Sequence, residues 1–437
     1  MAAYGYGPQA SDDVVLQPDV VVIEGGPTAI RAVSTDRMVW SIDAGAGGVA
    51  DLAVGKVMFA SSDALGRILD LERRDGVAVV TLAPVSLTEV VSDAHLVLDQ
   101  DISIGALQFL EIPDLPGAVA DTPSELVDAA GALPSGEPVD EEVIALPAVR
   151  LVAGSGLAQA GPQLSTTVGD WNVTAYLGAD AIGLRARRTA GKGALEAEIE
   201  ARIDVNDLRV TANVPISNGV VGTSRFRIDG ITGVALGIRA GAGDGLSANR
   251  AVKLELPVQL TQRVIIGGFP VTLTQKLKFL LNTAFTARNG NLAAAGSWTV
   301  EGPLGFAGST LITPTLTERD SLIESINGVS IGLNGLVYGV AFEFGLLAGL
   351  PVAGAGPVIS FITVIGVTNG SDLGIVKCRQ SSLTSTLTGG VGISVYEPVK
   401  IALKELFGID LSTPSPLITV TIAQDAWYDP PVVACRP

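Results

Sequence analysis

Leu195-Glu196-Ala197-Glu198-Ile199-Glu200-Ala201-Arg202-Ile203-Asp204-Val205 puts an apolar side chain at every odd position and a charge at every even one. Successive side chains of a strand point to opposite faces, so this order describes a strand with one dry and one wet face. A helical reading would spread the five charges around the whole circumference and leave no apolar stripe. Beyond Asn206-Asp207 the apolar set moves to even numbers, at Leu208, Val210, Ala212 and Val214. A two-residue hairpin loop explains the change of parity if Val205 and Leu208 face each other on the dry side. Asp204 is then expected opposite Arg209 on the wet face. The first arm alone spans roughly 35 Å, about twice the usual strand length. A charge at Ile199 or Val210 should therefore unfold the region, and one at Glu198 or Thr211 should be tolerated.

The remaining composition suits such a sheet. The chain has 437 residues, 47% apolar but only 5% aromatic, so its hydrophobic content is largely aliphatic. Val and Ile favour pleated, buried surfaces. The formal net charge of -17 opposes nucleic acid and anionic lipid headgroups, which need a basic surface. The two cysteines, Cys378 and Cys435, are compatible with one disulfide in an oxidising compartment or with two buried thiols. Met1 to Pro8 has neither a basic n-region nor an apolar core, so no signal peptide is expected to open this chain.

Residues 1–19 are polar with Gly and Pro and read as a disordered lead. Strands are expected at Val20 to Ile23, Met38 to Ile42 and Val54 to Ala60, followed by a hairpin from Arg67 to Leu82 turning at Asp75-Gly76. Ser86-Leu87-Thr88-Glu89 has the capping-box spacing and predicts a short helix over Leu87 to Ala94. Residues 20–105 thus form a small β domain. Residues 106–150 read as an acidic, Pro-rich linker. Within it, Asp140-Glu141-Glu142 reads as a solvated run, with a weak Ca²⁺ or basic-partner site as the lesser reading.

Residues 151–437 carry the large antiparallel β domain. Strands are expected at Trp171 to Leu184, Arg225 to Ile228, Val234 to Ile238, Lys253 to Thr261 and Val271 to Leu281. Pro257 marks an edge or a bulge, and Asn289-Gly290 a hairpin turn. The uncharged stretch from Phe344 to Ser371 is divided by Pro351, Pro357 and several glycines. Two buried strands with a loop at Gly349 to Pro357 fit it better than a membrane span, leaving a membrane-inserting hairpin as the lesser reading. Further strands follow at Leu373 to Val376, Leu383 to Leu387 and Gly390 to Val395. Pro398 opens an amphipathic helix that Gly408 stops. A last strand is expected over Leu417 to Ala423. The fold class is therefore all-β: a small N-terminal β domain, then a large two-sheet, sandwich-like region with one helix near the C-terminus.

Catalytic chemistry is sparse. The single histidine, His95, excludes a multi-histidine metal site and reads as structural. Gly237 to Gly245 is Gly-rich but lacks the Lys-Ser/Thr and helix of a phosphate loop. Asp204-Val205-Asn206-Asp207 resembles the start of a calcium loop, and the hairpin accounts for it. Asn172-Val173-Thr174 and Asn369-Gly370-Ser371 match the glycosylation pattern. Paired carboxylates are the one remaining catalytic device, with Asp101, Asp170 and Asp229 as candidates. No catalytic, metal or cofactor residue is assigned.

Gly66-Arg67-Ile68, Val79-Val80-Thr81 and Pro84-Val85-Ser86-Leu87-Thr88-Glu89-Val90 resemble a stretch found in secreted, β-rich bacterial proteins of unassigned function, where a comparable small module precedes a large two-sheet region. The resemblance implies an extracytoplasmic setting and supplies no catalytic residues. The first functional expectation is a non-enzymatic surface or matrix protein acting through protein contacts, as a homo-oligomer or polymer joined at strand edges. The second is a carrier of a lipid or other apolar small molecule between two long sheets, with the helix as a lid. The third is a carboxylate-dependent hydrolase. No nucleic acid partner and no transmembrane span are expected.

Overall fold

A computed structural model describes residues 4–111, 118–123, 162–189, 194–256, 258–286, 288–328, 332–370, 377–409 and 417–432. They form an all-β fold of two large sheets and one small one. Sheet one orders its main strands as Gln163–Val168, Trp171–Leu177, Ala181–Arg188, Leu195–Ser217, Arg225–Ala242, Gly290–Glu301 and Thr315–Asp320. Sheet two runs Val119–Pro123, Arg250–Glu255, Phe269–Phe285, Leu333–Leu350, Ala353–Gly370, Cys378–Val395 and Ile418–Asp429. All pairings within these two sheets are antiparallel. The small sheet holds the strands between Val20 and Ala83, with the Asp75-Gly76 hairpin closing at Arg74↔Val77.

The opening stretch is a strand, and it does not turn back. Leu195–Ser217 is one continuous strand of 23 residues. Between Asp204↔Gly233 and Arg209↔Asp229 this strand takes one more residue than its neighbour, so Asn206-Asp207 lies in a bulge and not in a hairpin. An extra residue and a reversal both switch apolar parity. The bulge keeps Val205 and Leu208 on one buried face. Gly230 makes it possible: at φ +89°, a Cβ there would lie 2.4 Å from the Asn206 carbonyl oxygen. Asp204 consequently pairs with Arg202 at 2.8 Å and Arg319 at 3.4 Å, and Arg209 with Asp99 at 2.7 Å.

The dry faces of the sheets pack together over Leu236, Trp298, Phe285, Tyr338, Phe342 and Phe361, all buried. Phe279 stacks with Tyr338 at 5.9 Å and Phe342 with Phe361 at 6.3 Å. The outer face of sheet one is a charge ladder, with Glu198 held by Arg185 and Arg239 and Glu200 by Arg185. Even alternation thus produced a core on one side and complementary ion pairs on the other.

Several boundaries differ from expectation because tertiary pairing extends short signals. The lead is not without structure: Val14–Leu16 pairs with Val91–Asp101, and Tyr4 packs edge-on against Trp40. The capping box forms, with the Glu89 carboxylate accepting from the Ser86 N–H at 2.8 Å, but the helix is only Leu87–Val90. The next residues, Val91–Asp101, pair along Arg209–Ile216, so the small unit expected over 20–105 gives its last strand to sheet one. The linker region contributes Gln108–Glu111 and Val119–Pro123 to sheet two. Arg225–Ala242 and Cys378–Val395 are each one strand where two were expected.

Asn289-Gly290 turns the chain from sheet two to sheet one and makes no hairpin, since Asn289 N–H donates to the Gly243 carbonyl at 3.1 Å across the gap. The uncharged stretch does form two paired strands, Leu333–Leu350 and Ala353–Gly370, turning at Pro351-Val352. The helix is Glu397–Phe407, capped by Gly408 in the left-handed region at φ 68°. The last strand runs on to Asp429. No helix among the described residues is long and apolar enough to cross a membrane. Pro257, Asp140-Glu141-Glu142, the strand expected at Leu373 to Val376 and Cys435 lie outside the described residues.

Candidate functional site

The three candidate carboxylates do not make a cleft. Asp101 and Asp229 flank Arg209 in register on neighbouring strands, Asp101 lying 3.7 Å from its guanidinium. Asp229 is bound to Arg227 at 2.8 Å, and the exposed Asp170 to Arg188 at 3.3 Å. Each is consumed by an arginine. His95 stands on the outer face of its strand and bonds through Nε2 to Asn213 Oδ1 at 3.0 Å. Of the two glycosylation-pattern asparagines, Asn172 is exposed and Asn369 buried. Among the described residues, no group of His, Cys, Asp or Glu is gathered to hold a metal.

The dry faces of the two large sheets leave a small apolar cavity between them. Leu208, Val210 and Ile228 of sheet one meet Leu260, Leu273 and Phe344 of sheet two around a cavity of about 20 Å³. That volume holds about one water molecule and is far below a lipid's.

Two other features carry more chemistry. The first is the outermost strand of sheet two, Ile418–Asp429, which pairs with Cys378–Val395 alone among the described strands. Seven of its 12 residues are exposed, while Ile422, Ala423 and Trp427 pack against the core. From Ile418 to Ala423 it presents Ile-Thr-Val-Thr-Ile-Ala with no charge, and Val420 is 39% exposed. Edge strands in monomeric proteins are usually blunted by Lys, Pro or inward charges. Here a bulge at Ile422, between Thr386↔Thr421 and Ser385↔Ala423, is the only such device in that segment.

The second is a polar pocket where the small sheet meets sheet two. Arg263 donates twice to Asp63, at 2.6 and 3.2 Å, and both side chains are largely buried. Deeper, Lys276 Nζ donates to Ser394 Oγ at 2.8 Å, and Ser394 donates to Glu343 Oε1 at 2.5 Å. Burial lowers the Lys276 ammonium below its ordinary range, against the opposing pull of Glu343. Burial also pushes Glu343 up, but Lys278, Lys276 and the Ser394 hydroxyl outweigh it and hold the carboxyl below its usual value. This cluster is not legible before folding, because Lys276 and Glu343 each occupy the polar position of an alternating strand. Folding nonetheless leaves both side chains largely covered, Lys276 at 8% and Glu343 at 16% exposure.

These features define a class: an all-β, two-sheet protein with an appended small sheet, an outermost strand paired on one side among the described residues, and a buried polar seam. The chain belongs to the family described as a domain of unknown function, DUF8402, whose model matches residues 152–417. A second domain of unknown function, DUF8403, matches residues 1–93. No curated protein and no solved structure matches the chain.

Proposed function

We propose that this is a non-enzymatic, extracytoplasmic surface or matrix protein that works through protein contacts, and that it associates with further copies of itself along Ile418–Asp429. The observation that carries this reading is the uncharged segment Ile418 to Ala423, exposed at Thr419, Val420 and Thr421, whose outer backbone groups have no partner strand among the described residues and are a template for another strand. Antiparallel pairing of two such edges centred near Thr421 would oppose Ile, Thr and Val without setting Asp425 against Asp425. The disulfide at Cys378 supports an oxidising compartment. The small cavity between the sheets favours contact at the surface over carriage of an apolar ligand inside.

Sedimentation velocity over a wide concentration range tests the reading. The wild-type chain is expected to shift to larger species with concentration, and Val420→Lys to remain monomeric with an unchanged thermal melt. Identical profiles for the two proteins would remove the edge from the account.

A further inference from the structure

We infer that the polar pocket beside Lys276 is a binding site for the hydroxyl head of a small, uncharged amphipathic molecule, an aliphatic alcohol or a glycerol-headed lipid. This goes beyond the edge contact and rests on none of the same residues.

The floor of the pocket is built and incompletely satisfied. Gln259 is only 2% exposed; its Nε2 donates to the Pro351 carbonyl at 2.8 Å, and its Oε1 is buried with no partner among the described residues. Thr272 Oγ1 is likewise buried and unpartnered, on the next strand. Lys276, 6% exposed, has three N–H donors and a single bond within reach, to Ser394, because Glu343 stands off at 4.0 Å. A buried acceptor left without a donor is costly, so such a floor favours an occupant that both donates and accepts.

Charge decides what kind. Arg263 is matched by Asp63, and Lys276 and Lys278 by Glu343 and Glu255. The walls are already neutral as a set, so an ionic ligand would leave one buried charge unpaired. A hydroxyl group donates to Gln259 Oε1 and accepts from Lys276 without disturbing that balance. Size agrees: the cavity is about 20 Å³, the space of one hydroxyl-sized group. Leu110, Leu347, Leu350 and Pro351 supply an apolar part of its lining, beside the polar groups. An aliphatic stem would lie against that apolar lining, and a bare polyol would not use it.

The test is calorimetric titration of the full chain with 1-octanol, with octanoate as the charged probe of equal stem and glycerol as the stemless one. Saturable binding of 1-octanol is expected, with octanoate and glycerol each weaker by at least about tenfold. Gln259→Met keeps the side-chain length and deletes the acceptor; it should weaken 1-octanol by about tenfold. Should that variant fail to fold, Thr272→Val removes only a hydroxyl at constant shape and should weaken binding several-fold. Absence of saturable binding, equal binding of octanoate, or a folded variant that binds like wild type would overturn the assignment and leave the pocket as the place of an ordered water only.

Discussion

The central strand of sheet one, Leu195–Ser217, and the outer strand of sheet two, Ile418–Asp429, each carry a bulge, and the bulges do opposite things. In the first, partners run along both sides, and the extra residue at Asn206-Asp207 keeps a long apolar face aimed at the core. In the second, a partner strand lies on one side only among the described residues, and the extra residue at Ile422 falls in a strand that is mostly exposed. The same irregularity is thus a repair inside a sheet and a weak guard at its edge. Stability should reside in the first strand and interaction in the second.

That contrast breaks first under charge. Ile199→Asp would bury an unpaired carboxylate among Ala186, Ile238 and their neighbours, so a loss of more than about 4 kcal/mol is expected in urea unfolding, enough to prevent folding. Val420→Asp should cost no more than about 0.5 kcal/mol, being 39% exposed on an edge. Equal losses would erase the distinction between the strands.

The joint between small sheet and sheet two is next. Arg263→Met strands the buried Asp63 carboxylate and should destabilise by roughly 3–5 kcal/mol, read from the same unfolding curves. A change within error would mean that Asp63 is solvated in solution. Gly230→Ala forces a Cβ onto the Asn206 carbonyl at a positive φ, and should lower stability by about 2 kcal/mol or more. A Gly308→Ala control, also at positive φ but with its nearest neighbour a Thr223 methyl at 3.2 Å, should cost less.

The smallest effect is acid sensitivity. Glu89 is pushed up by burial but held lower overall by the Ser86 N–H and hydroxyl and by Arg67, and Glu343 lies low for the reasons above. A carboxylate with a depressed folded pKa contributes stability that is present above its unfolded value, here 4.5, and lost as pH falls through the folded value. Melting temperature should therefore be level above pH 5 and decline below about 4.5. Glu89→Gln should flatten part of that decline.

Much of the fold was legible because its signals are local. Alternation located Leu195–Ser217, Asp-Gly located the Arg74↔Val77 hairpin, and Pro398 with Gly408 bracketed the helix. The bulge was not legible, since a reversal and an extra residue write the same parity change; only Arg225–Ala242 running alongside both halves separates them. Asn289-Gly290 misled for a related reason: the dipeptide reports a turn, and which sheet receives the next strand depends on distant pairing. The polar pocket was the least legible. Lys276, Glu343 and Ser394 look solvated in sequence, and only the tertiary pairing that sets Lys276 opposite Glu343 and within reach of Ser394 brings them together.

Hydrogen-exchange mass spectrometry at low and high protein concentration tests the central claim most directly. Amides of Leu195–Ser217 should be strongly protected at both concentrations, while those of Ile418–Ala423 should be weakly protected when dilute and gain protection as concentration rises. Unchanged exchange at Ile418–Ala423 across a concentration range in which larger species form would contradict the account, because association would then use some other surface.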